Sequence, residues 1–185
     1  MADKKKAKDN KRLFRGRERS GVSFPLAPSA SEMPDNYAHL LKELKQRITT
    51  ERLRVAITAN AAMILLYWDI GQAILHRQKR EGWGAKIVDR LSADLCEAFP
   101  DMQGLSPRNL KYMRKFAEAW PEREFVQRTV AQIPWRSNLA LLDKLETRET
   151  RLWYAEKTIE NGWSRDILVL QIEAEAHQRH GQAVN

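Results

Sequence analysis

Arg108, Lys111 and Lys115 recur at intervals of three and four residues, with Asn109 and Arg114 beside them. On a helix that spacing gathers the three cations on one face. Guanidinium and ammonium groups hold phosphates, and an amide in a first helical turn can pair with a base edge, so the pattern is suited to nucleic acid. The same face on an ordinary bundle helix meets only water, and spacing alone does not separate the two readings. Leu110, Met113, Ala117 and Trp120 form an apolar stripe on another face of the same run. Ser106 is placed to cap it, and Pro107 sits at the first helical position, where a missing N–H costs nothing. Residues 85–99 are also amphipathic, with Ile87, Leu91, Leu95 and Phe99 aligned, and a short Gly-containing link at 100–105 separates the two segments. Helix, turn, then a basic helix is the order in which a helix-turn-helix places its reading helix in a major groove.

Other chemistry is sparse. Pro34-Asp35 followed by Glu43-Leu44-Lys45 matches the PD…ExK string of metal-dependent nucleases, which needs two carboxylates and a lysine converging on one Mg²⁺. Here Asp35 and Glu43 lie about two helical turns apart, roughly 12 Å along one axis, and cannot share a metal. Glu173, His177 and His180 share a helix face in the last turns before Gly181, without a fourth ligand. There is no Gly-rich phosphate loop, no Gly-x-Ser-x-Gly and no Cys/His nucleophile context. The expectation is a chain with no active site of its own, no cofactor and no metal. The single cysteine, Cys96, is expected to be a small buried hydrophobe; it excludes a disulfide framework and fits a reducing cytoplasm.

Charge is unevenly spread. The 185 residues carry a formal net charge of +8, yet residues 1–19 hold nine Lys or Arg against three acidic groups, a net of +6. The remaining 166 residues hold 23 basic and 21 acidic side chains. Lys4, Lys5, Lys6, Lys8, Lys11 and Arg12 head this arm, which continues into a Ser/Pro-rich stretch ending at Pro34. Residues 1–34 read as a disordered basic arm and linker, able to attract phosphates with little sequence preference, or as a plain solubilising leader. No apolar run is expected to span a bilayer, the N-terminus lacks a signal-peptide core, and the arm is too poor in periodic apolar residues to lie on a membrane. A cytoplasmic protein with no membrane partner follows.

The elements that position these groups are all helical. Tyr37, Leu41, Leu44, Ile48, Val55, Ala59, Ala62 and Leu66 step through a heptad-like seam to near Leu75, interrupted at Glu51 and Arg52. A helix of that length calls for a partner helix or a second subunit, and its second half, apolar nearly all round, reads as central to the core. Gly82-Trp83-Gly84 ends it. Helices follow over 85–99, 106–120, 125–132, 137–145 and 147–160, and a last one, capped by Ser164, ends at Gly181. The fold class is all-α: a helical bundle with a long first helix and a helix-turn-helix-like unit, in one domain over 35–185.

The six tryptophans sit mostly at helix ends and turns, where each can bury its ring while its N–H finds a carbonyl. At these corners Tyr67-Trp68-Asp69-Ile70-Gly71, Gly82-Trp83-Gly84-Ala85-Lys86, residues 105–114, Val130-Ala131-Gln132-Ile133-Pro134-Trp135 and Ile159-Glu160-Asn161-Gly162-Trp163-Ser164-Arg165 resemble the N-terminal domain of the YhcG family, over about residues 37–185. Members of that family generally continue into a PD-(D/E)XK-type nuclease domain, and this chain resembles the module without that half. The resemblance implies a DNA-binding or targeting module, non-catalytic by itself, that associates with a nuclease domain or a full-length relative. Spacing, not the family, assigns duplex or branched DNA to Arg108, Asn109, Lys111, Arg114 and Lys115, with the Lys/Arg arm adding unspecific attraction. The rival is a protein-interaction or homodimerisation scaffold that uses the long first helix.

Overall fold

The computed structural model describes residue 34 and residues 36–182, with side chains through 179. The basic-arm candidates Lys4, Lys5, Lys6, Lys8, Lys11 and Arg12, and Asp35 of the PD…ExK string, lie outside the described residues. The chain divides between Gln46 and Arg47 into two compact units. The elements are α1 (Tyr37–Glu81), α2 (Ala85–Ala98), α3 (Pro107–Ala119), α4 (Arg123–Arg128), a 3₁₀ turn (Val130–Gln132), α5 (Trp135–Lys144), α6 (Arg148–Asn161), α7 (Arg165–Glu173) and α8 (Ala176–Gln182). The protein is all-α, with no strand among the described residues.

Local chemistry sets the ends. The Ser106, Thr147 and Ser164 hydroxyls accept from the N–H groups of Asn109, Thr150 and Ile167 and cap α3, α6 and α7. Gly162 closes α6 in the left-handed conformation at φ 62°. The last helix differs from expectation. It breaks after Glu173, where Glu175 takes φ 50°, and restarts as α8.

In the first unit, Tyr37, Leu40, Leu41 and Leu44 of α1 are exposed. In the second, the expected burial of α1 arrives late. Ile48, Leu53, Val55 and Ile57 stay exposed, and burial begins only with Ile64, Tyr67, Trp68, Gly71 and Ile74. These residues meet two clusters. One joins Ile64 and Trp68 to Phe116, Trp120, Val126, Val130, Leu141, Tyr154 and Leu168. The other joins Tyr67 and Ile74 to Val88, Leu110 and Met113. A stretch of α1 also reaches the length and mean hydropathy, 1.3, of a membrane-crossing helix, which corrects the sequence reading that no run does. In the same helix, Asn60 donates to the carbonyls of Ala131 and Ile133, and Gln72 to that of Ala117.

The α3 stripe is where the sequence puts it: Leu110, Met113 and Ala117 are 0% exposed and Trp120 1%, and Phe116, outside the expected stripe, is 0% exposed as well. Gly71 makes this possible. A Cβ there would collide with the Met113 carbonyl, 2.6 Å from its carbon and 2.9 Å from the Ala117 Cβ. The helices therefore pack backbone to backbone, and the Trp68 indole N–H seals the far end on the Trp120 carbonyl at 2.6 Å. The α2 stripe is shifted from expectation. Ile87 and Phe99 are 42% and 54% exposed, while Val88 and Ser92 are buried and Leu91 and Leu95 half-buried. Cys96 is exposed rather than buried.

Candidate nucleic-acid interface

The connection from α2 to α3 spans residues 99–106, longer than the three or four residues of a helix-turn-helix turn. It is tied down from both sides. The Ser92 hydroxyl donates to the Leu105 carbonyl at 2.6 Å. Gly104, at φ 96°, lies so close to the Tyr67 hydroxyl that a Cβ would sit 2.5 Å from it. These contacts fix where α3 begins, and with it Arg108 and Asn109.

Arg108, Lys111, Arg114 and Lys115 line one hollow of about 660 Å³ on α3, together with Ser106, Pro107 and Tyr112. Most of these cations already have partners. Lys111 Nζ lies 3.2 Å from Asp89, and Arg114 donates to Gln78 at 3.3 Å while its Nε is buried without a partner. Lys115 Nζ donates to the Leu142 carbonyl at 2.8 Å and pairs with Asp143 at 3.4 Å. Surface pairs of this kind are worth little and exchange readily, but they lower the positive potential the face presents. Arg108 differs. It lies over the Tyr112 ring at 5.7 Å, and its interaction with Tyr112, then the charge of Asp143, holds its pKa above the usual arginine value.

Asn109 is not available to a base. Its Nδ2 donates to the Gly104 carbonyl at 2.6 Å and its Oδ1 accepts the Trp135 indole N–H at 2.8 Å. Reading a base edge would break both bonds, so this candidate is reassigned to holding the corner between α3 and α5. Trp135 is locked by the same bond and by edge-on contacts with Tyr67 and Phe116, at centroid distances of 5.0 and 5.3 Å.

That corner forms the floor of a larger cleft, about 830 Å³, which the sequence analysis did not find. Arg108, in the first turn of α3, lines it together with Arg136 in the first turn of α5, Arg165 at the start of α7 and Lys144 at the end of α5. The lining holds these four cations and one carboxylate, Asp143. Asp143 is itself satisfied by the Tyr112 hydroxyl at 2.8 Å and by Lys115. Lys144 pairs with Glu173 at 2.7 Å and Arg165 with Asp166 at 3.1 Å. Arg108 has no ion pair and Arg136 no ion pair or hydrogen bond among the described residues. Trp135, Leu139, Ala140 and Tyr67 supply the apolar wall. Arg136 and Arg165 escaped the sequence reading because they stand alone on separate helices; only the packing of α3, α5 and α7 brings them to one place.

Two of the metal candidates have partners: Glu173 holds Lys144 and His177 Nδ1 bonds the Tyr154 hydroxyl at 3.0 Å, while the His180 side chain lies outside those described. No cluster of three potential ligands occurs among the described residues.

Residues 43–179 match the DUF1016 N-terminal domain. The protein YhcG of Escherichia coli (strain K12), which its name describes as a candidate nuclease, is 26% identical over 181 aligned positions, covering 80% of this chain. The chain spans 46% of the length of that relative. No solved structure matches it.

Proposed function

Because the chain belongs to the DUF1016 N-terminal domain family, we propose that it is a DNA-binding module of a nuclease-associated protein, with no catalytic chemistry of its own. The observation that carries this reading is the cleft lined by both Arg108 and Arg136, neither of which has an ion pair among the described residues, together with Lys144 and Arg165. Guanidinium groups in such a setting suit phosphate, which they grip through two parallel N–H bonds. The binding is to backbone rather than to base edges, because Asn109 is committed inside the fold. Lys111 and Lys115 contribute through field, their carboxylate partners being exposed and exchangeable.

The test is fluorescence anisotropy of labelled duplex DNA across a salt series. Replacing Arg108 or Arg136 by Ala should weaken binding uniformly across sequences and reduce the salt slope by about one each. A version starting at Ser31 separates the cleft from the basic arm. If it loses all binding, or if both Arg→Ala variants bind as the parent does, the cleft is not the DNA site.

A second reading has its own observation. Leu40 and Leu44 in the first unit, and Ile48, Leu53, Val55 and Ile57 in the second, leave α1 with exposed apolar residues that an isolated helix in water does not favour. A homodimerisation or protein-docking role for α1 accounts for them. A concentration-independent monomer in analytical ultracentrifugation would remove its dimeric form.

A further inference from the structure

The dimensions of the cleft carry the DNA-binding reading one step further. A duplex is too wide to enter the cleft and meets only the cations at its rim. Those cations line an open cleft of about 830 Å³ together with Trp135, Leu139, Ala140 and Tyr67. That volume falls within the roughly 300–1,000 Å³ range of pockets that enclose a small organic ligand. The lining is polar and apolar in about equal measure, its charged groups set beside Trp135, Leu139, Ala140 and Tyr67. The charged groups are guanidiniums suited to a phosphate, and the wall suits a flat heterocycle.

We infer that the cleft takes one unpaired nucleotide, its phosphate held between Arg108 and Arg136 and its base lying toward Leu139 and Trp135. Unpaired means outside a duplex: a single-stranded end, a gap or the branch of a joint. Watson–Crick pairing and stacking on both sides keep a duplex residue out of a pocket this size. The Asp143 carboxylate accepts the Tyr112 hydroxyl and pairs with the Lys115 ammonium, which weakens its opposition to the phosphate. The inference rests on the proposed DNA-binding function of the same cleft, and it makes the module selective for DNA structure rather than for sequence.

The experiment compares the full chain on three labelled DNAs of equal charge: a blunt duplex, a duplex with a short single-stranded overhang, and a single strand. The overhang and the single strand should bind about tenfold tighter than the blunt duplex, the gain expected from holding one unstacked base. Free deoxynucleoside monophosphate, added in excess, should abolish that preference and weaken blunt-duplex binding no further than Arg108→Ala and Arg136→Ala do. Leu139→Trp, which fills the cleft and keeps every cation, should abolish the preference and leave blunt-duplex binding in place. The comparison on the parent chain stands without that variant if it fails to fold. Equal affinity for all three DNAs, with Arg108→Ala and Arg136→Ala still weakening each, overturns the inference and leaves the backbone-binding function intact. Equal affinity that neither arginine affects overturns both.

Discussion

Gly71→Ala is the most discriminating change for the architecture that holds the cleft. On an open helix face this substitution stabilises, because Ala is favoured over Gly by about 1 kcal/mol. At position 71 the new Cβ would stand 2.6 Å from the Met113 carbonyl carbon and 2.9 Å from the Ala117 Cβ, in addition to striking the Met113 oxygen. Carbon atoms rest at about 3.5–4.0 Å, so α3 would have to withdraw by roughly 1 Å. It cannot do so without loss, because Leu110, Met113, Phe116 and Ala117 are all 0% exposed and would leave gaps behind. Overpacking of this sort costs about 3 kcal/mol or somewhat more, which exceeds the propensity gain and leaves a net loss of about 2–3 kcal/mol. For a chain of this size that corresponds to a fall in Tm of about 5–10 °C. Thermal unfolding followed by circular dichroism measures it. A variant as stable as the parent, or more stable, would refute the backbone-to-backbone packing of α1 on α3.

Asn138, 1% exposed, donates through Nδ2 to the carbonyls of Val130 and Ile133, with Pro134 at the limit of reach; Asn138→Ala should cost about 1–2 kcal/mol in chemical denaturation, since the Val130 carbonyl loses this bond while Ile133 keeps Asn60. Asn109→Ala should lower Tm by several degrees through loss of the Gly104 and Trp135 bonds, and DNA affinity measured below that Tm should change less than for Arg136→Ala. Burial raises the pKa of the Tyr67 and Tyr154 hydroxyls above 10.0 in the fold, so the unfolded chain releases these protons first. Stability should therefore be full below pH 10 and decline as pH rises from there through the folded-state values; denaturant midpoints across that range measure the slope, and Tyr67→Phe and Tyr154→Phe should each flatten it.

The helical class, most element ends and the α3 stripe were legible in the chain because they depend on neighbours a few residues apart. Ser106 before Pro107, Thr147 and Ser164 at helix starts and Gly162 at a helix end are local signals, and the structure uses each as such. So is the spacing of Leu110, Met113 and Ala117, whose burial needs only an amphipathic helix and a core to face. Periodicity says which face is apolar but not whether anything covers it. That is why the exposure of Val55 and Ile57 on α1, and of Ile87 and Phe99 around α2, was not foreseen. The break at Glu175 follows no glycine or proline, and sequence offered no sign of it.

The site divides along the same line. The sequence by itself determined that α3 would be basic on one side, since Arg108, Lys111 and Lys115 are spaced by the helix that carries them. Only the tertiary structure decided which of those charges remain free, because Asp89, Gln78 and Asp143 come from other helices and occupy Lys111, Arg114 and Lys115. It also turned Asn109 inward, and it brought Arg136 and Arg165 to the cleft that Arg108 lines. Local spacing fixes what one helix presents; long-range packing sets the partners, the potential and the cavity, and these are what a phosphate or a base would meet.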